Sequence, residues 1–73
     1  MPDNQQQRRL LATAIRNLRN EGGFSQEKLA ERANLSAIFI SRIERGVESP
    51  SFDSLCKIAK ALRVRVRDLV QEV

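Results

Sequence analysis

Four residues within one short stretch, Ile38, Ser41, Arg42 and Arg45, have the types and spacing to read the edge of a nucleic acid. If Ala37 to Arg45 is helical, each residue turns 100° about the axis, and these four fall on one side. Ile40, Ile43 and Ala37 share the other side, with Phe39 at the flank. An arginine fork can bridge O6 and N7 of guanine. A hydroxyl can reach a base or a phosphate, and an apolar tip can meet a thymine methyl. Bond-making chemistry has no such provision. There is no histidine, so a Ser-His or Cys-His pair and an imidazole metal ligand are excluded. Cys56 is the only cysteine, so there is no internal disulfide and no thiolate cluster. No enzyme activity, cofactor or metal is expected.

A helix that shows this face to a partner must be held by its other face. Leu29, Ala30, Ala33 and Leu35 supply the apolar counterpart to Ile40 and Ile43. Ala30 is small where two helices would cross closely, and Asn34 suits a left-handed turn position. Ser25 stands as N-cap before a short helix over residues 26–33, and Ser36 as N-cap before the helix that Gly46 ends. Ahead of these, a helix runs from about Gln5 to the Gly22-Gly23 stop, with Leu11, Ile15 and Leu18 in one stripe and Leu10 and Ala14 alongside. The polar residues 1–4 read as a frayed end. After the loop Glu48-Ser49-Pro50, Ser51 caps a fourth helix with Phe52, Leu55, Ile58, Ala59 and Leu62 on its apolar face. Cys56 is read as a small core residue at the edge of that face. A last short helix is expected from about Val66 to Glu72. Two short helices joined by a tight turn within such a set form a helix-turn-helix, here at about residues 26–45. The fold class is therefore all-α: a compact four- to five-helix bundle, a single domain over residues 1–73.

Composition agrees. A chain of 73 residues supports one modest core. Thirteen basic residues against nine acidic ones give a net charge of +4, which suits an anionic partner. No apolar run approaches a membrane span, so a cytoplasmic protein without membrane partners is expected. No pocket for a small-molecule ligand is expected in so short a chain.

Ser25-Gln26-Glu27-Lys28-Leu29-Ala30, Ile40-Ser41-Arg42-Ile43-Glu44-Arg45-Gly46 and Ala61-Leu62-Arg63-Val64 stand in the register of a known signature. From Leu11 to Val70 the chain resembles the Cro/repressor-type, or XRE-like, helix-turn-helix family, whose fold is that of the lambda repressor DNA-binding domain. In size and in lacking a second domain it looks most like the controller proteins of restriction-modification systems. The resemblance implies roles position by position. Ser36, Ala37, Ile38, Phe39 and Arg42 match positions that face bases. Gln26 matches a residue that braces a phosphate and the recognition helix. Arg45 matches a backbone contact, and the loop Val47 to Phe52, with Ser49 and Ser51, a second backbone clamp. Ala37 and Ile38 stand where the family often has polar residues, so amide readout there is excluded and weight shifts to Arg42. Family members of this kind pair the positions of Arg19 and Glu44 in a salt bridge, which the resemblance carries over; otherwise Arg19 would point to a phosphate. Where the family usually has glycine, this chain has Asn34 and Arg63, and the latter leaves the end of the fourth helix open.

Together these readings point to a transcriptional regulator that binds a roughly palindromic operator on double-stranded DNA through the major groove. One recognition helix reads few base pairs, so a homodimer is expected. Val64 and Leu69 would complete the monomer core, leaving Val66, Val70 and Val73 as the self-complementary contact. The alternatives are an antitoxin of a toxin-antitoxin pair that also binds DNA, and a protein-interaction module on the same fold. Arg42 and Arg45 would then be ordinary solvated charges.

Overall fold

Three serines start three of the five helices in the computed structural model, which describes residues 4–73. The hydroxyl of Ser25 accepts from the Lys28 amide at 3.0 Å, that of Ser36 from the Phe39 amide at 3.0 Å, and that of Ser51 from the Ser54 amide at 3.1 Å. Each cap occupies a donor that the helix itself leaves unbonded, worth about 1 kcal/mol. These are α2 (Gln26–Ala33), α3 (Ala37–Glu44) and α4 (Phe52–Leu62), preceded by α1 (Gln5–Glu21) and followed by α5 (Val66–Val70). The reading of a frayed terminus falls mainly on residues 1–3, outside the described residues. No strand occurs among the described residues.

The first four helices end alike. Gly23, Asn34, Gly46 and Arg63 take left-handed backbone conformations, at φ of 76°, 57°, 75° and 61°. The next amide then turns back to a carbonyl five residues earlier: Phe24 to Arg19, Leu35 to Ala30, Val47 to Arg42 and Val64 to Ala59, all at 2.9–3.1 Å. Glycine takes this conformation freely and asparagine tolerates it. Arg63 does so at a cost on the order of 1 kcal/mol. The fourth helix therefore stops where the family pattern would stop it, without the usual glycine.

Helix α3 is wedged against α1 and α2, α2 also packs on α4, and α5 lies across α1 and α4. Ile15, Leu29, Ile40, Ile43, Ile58 and Leu69 are the fully buried large side chains. Burying each contributes about 1.5–3 kcal/mol, and together they lock the orientation of α3. Three expectations need correction. Phe52 is 68% exposed. As the first residue of α4 its side chain tilts toward the helix start and projects past the bundle. Cys56 is exposed as well, because it lies about 100° around α4 from Leu55, beyond the buried arc. The last helix is also shorter than expected, ending at Val70.

Candidate nucleic-acid interface

The outer face of α3 forms with the start of α2 a shallow groove of about 400 Å³, lined by Gln26, Glu27, Ala37, Ile38, Ser41 and Arg45. Ile38 at its centre is 75% exposed, a strong anomaly for an isoleucine on a helix whose other face is core. Arg45 caps the end of α3, exposed and without an ion-pair partner among the described residues. Ser36 is exposed but its hydroxyl already caps α3. Ala37 and Ser41 are partly buried. Phe39 packs against the core, which removes much of its ring from the outer face. The structure thus brings Gln26, Ala37, Ile38, Ser41 and Arg45 to one groove and sets Phe39 aside from it.

Arg42 is exposed on the same helix, but it is not an isolated charge. Its Nε donates to Glu48 Oε1 at 2.7 Å. Glu48 reaches back because Gly46 turns left-handed and the Val47 amide folds onto the Arg42 carbonyl. From sequence this carboxylate is only one polar residue of the loop after α3. The available signal was an opposite charge six residues beyond Arg42, across a glycine turn. Ser49 and Ser51 continue from it, both exposed, with the Ser51 hydroxyl engaged at the start of α4.

Behind α3 stands a second, buried pair. Arg19 Nε and Nη2 donate to the two oxygens of Glu44 at 2.7 and 2.9 Å, while Nη1 donates to the Phe24 carbonyl at 2.8 Å. The side chains are 12% and 2% exposed. The hydrogen bond to Glu44 holds the Arg19 guanidinium above its ordinary value, burial opposing it and the Glu44 charge adding to it. Gln26 Nε2 donates to Glu44 Oε1 at 3.1 Å. Of the two contacts that the resemblance implied for Gln26, to a phosphate and to the recognition helix, this is the one to the helix. Arg8 and Arg16 add donors to the carbonyls of Gly46 and Glu44, at 3.2 and 3.3 Å. Cations at these carbonyls complement the negative end of α3.

In the C-terminal segment, Val66 and Val70 are partly buried and Val73 is 49% exposed. Leu69 is buried, and Val64 packs against the core. An open groove of about 450 Å³ runs between α1 and α5, with Leu10, Ala14, Leu18 and Val64 on its apolar walls. Among the described residues no group of acidic, cysteine or histidine side chains could hold a metal, and no helix is long and apolar enough to cross a membrane.

Two short capped helices at a tight turn, the second showing arginines, a serine and an exposed isoleucine, define a helix-turn-helix DNA-binding domain. The chain belongs to the HTH_3 helix-turn-helix family, whose model matches residues 15–69. Control protein C.BamHI of Bacillus amyloliquefaciens is 42% identical over 64 residues, covering 86% of this chain and 79% of that protein. The HTH-type transcriptional regulator Rv0474 of Mycobacterium tuberculosis is 48% identical over 50 residues, 68% of this chain; the match spans only 36% of that regulator's length. Among solved structures, the restriction-modification controller protein C.AhdI from Aeromonas hydrophila superimposes with a TM-score of 0.83 at 32% identity, over 85% of this chain and 94% of that one. The chain thus has a helix-turn-helix DNA-binding fold, and its relatives are named as transcriptional regulators and controller proteins.

Proposed function

We propose that the protein binds a roughly palindromic operator as a homodimer, each copy laying α3 in the major groove. The observation that carries this is the outer face of α3, where Ile38 stands exposed between Arg42, Arg45 and Ser41 on a helix locked by its buried face. In this reading Arg42 contacts a guanine edge. Ile38 meets a thymine methyl, and Ser36, Ala37 and Ser41 complete the base-facing set, while Phe39, packed against the core, is left out of it. Gln26, Arg45, Ser49 and Ser51 contact the sugar-phosphate backbone. The 73 residues act as one DNA-binding domain. Dimerisation through Val66, Val70 and Val73 doubles the sequence read and sets the two copies of α3 one helical turn of DNA apart. Since C.BamHI and C.AhdI are named as controller proteins, control of a restriction-modification locus is favoured over an antitoxin role.

Selection from a random duplex pool, followed by binding and sedimentation measurements, tests the proposal. Arg42→Ala should weaken binding to the selected duplex by about 1–3 kcal/mol and change random-duplex binding little. Arg45→Ala should weaken both alike and flatten the salt dependence. Val70→Asp should leave the wild-type dimer as a monomer at micromolar concentration. A wild type that stays monomeric on its selected duplex would defeat the dimer.

A further inference from the structure

We propose that Glu48 is a specificity-determining residue, holding Arg42 for base reading and penalising DNA that lacks the matching base. This rests on the reading of Arg42 as the residue that contacts a guanine edge. A guanidinium offers two edges for bidentate contact, Nε with one terminal nitrogen, or both terminal nitrogens together. The Glu48 carboxylate occupies the first edge through its 2.7 Å contact with Nε. Nη1 and Nη2 have no protein partner among the described residues, so only the end-on fork is left for O6 and N7 of guanine. Glu48 is itself positioned by backbone, because the left-handed turn at Gly46 and the Val47 amide on the Arg42 carbonyl fold the loop over the last turn of α3.

The carboxylate has a second effect. An arginine released from it would be free to pair with a phosphate, a contact that carries no sequence information. Glu48 also places a negative charge beside the duplex, which lowers affinity for every sequence unless Arg42 gains its base contact in return. Specificity is a difference of affinities, and a residue that weakens the wrong complex raises it. Exposure of the pair, 48% and 36%, keeps its contribution to folding small, so its removal leaves the domain folded.

The test uses the full chain and the duplex selected by the wild type, a duplex with the Arg42-dependent guanine replaced, and a random duplex. Glu48→Ala should bind random duplex more tightly and lose on the order of tenfold in the selected-to-random ratio, the scale of one bidentate base contact. Glu48→Gln keeps an oxygen acceptor for Nε without the charge. It should bind the selected and the random duplex more tightly while retaining most of the ratio between them. In an Arg42→Ala background, Glu48→Ala should change the ratio no further. Equal gains on all three duplexes for Glu48→Ala would reduce Glu48 to a general charge and overturn the inference, as would a ratio loss that persists without Arg42. A wild type that selects no sequence would instead overturn the operator-binding reading beneath it.

Discussion

Two arginine–carboxylate pairs flank α3, and they differ in almost everything except chemistry. Arg19–Glu44 lies behind the helix, forked through two nitrogens, with a third donor on a carbonyl and Gln26 on the carboxylate. Arg42–Glu48 lies on the outer side, a single contact between side chains that water still reaches. In the first pair every polar group near the core finds a partner, and no buried side-chain nitrogen or oxygen among the described residues lacks one. In the second, part of the hydrogen-bonding capacity is left over. Residues two apart in sequence, Glu44 and Arg42, thus end in a buried clamp and an exposed pair, because α3 turns one to the core and the other outward.

The largest expected effect tests the clamp. Arg19→Met or Glu44→Ala alone should destabilise the domain by about 3–5 kcal/mol, since either leaves a charge largely shielded from water without its partner. The double substitution should cost less than the worse single one, and denaturant melts of all four proteins complete the cycle. Full additivity would mean the pair is not a coupled unit. Because the folded-state value of Arg19 is raised, its contribution is complete at any pH below the ordinary arginine range and fades only in strong alkali. Melts between pH 6 and 9 should show no loss from this group.

The next effect has the opposite sign. Arg63→Gly should stabilise by about 1 kcal/mol, raising the melting temperature by several degrees in a domain this small. No gain would mean that contacts of the Arg63 side chain offset its backbone strain. Smallest of all is Lys28–Glu31, an exposed pair one turn apart on α2. Its hydrogen bond, with the Lys28 charge, holds the Glu31 carboxyl below its ordinary value of 4.5. Its stabilisation is present above that value and is lost as pH falls through the lowered one. Glu31→Gln should therefore change neutral melting hardly at all and slightly flatten the acid limb. An effect as large as that of Glu44 would break the ranking by burial.

Local rules made much of this fold legible. Ser25, Ser36 and Ser51 announce helix starts, and Gly22-Gly23, Asn34 and Gly46 announce stops, because capping depends on residues within a turn of one another. Spacing alone puts Ile40 and Ile43 inward and leaves Ile38 outward. Arg63 was harder, since nothing local favours arginine in a left-handed position. Phe52 and Cys56 were misread because a helical wheel gives the apolar side of α4, not how far neighbouring helices cover it. Glu48 was missed because its partner lies across a turn rather than on its own helix.

Residue types and period were enough to place the helical segments, their serine caps, the stops at Gly23, Asn34 and Gly46 and the apolar face of α3, for those follow from short-range backbone bonding; the ends of α4 and α5 did not follow in the same way. Only the tertiary structure decided what the charges do. The family resemblance had implied that Arg19 meets Glu44 across 25 residues of sequence, but not that both Glu44 oxygens are forked by Arg19 and joined by Gln26 from a third helix. Arg42 gains Glu48, while Arg45 gains no ion-pair partner among the described residues. Charged side chains are long and flexible, and their energies change several-fold with burial, so their roles follow from how the helices dock and from the water that docking excludes.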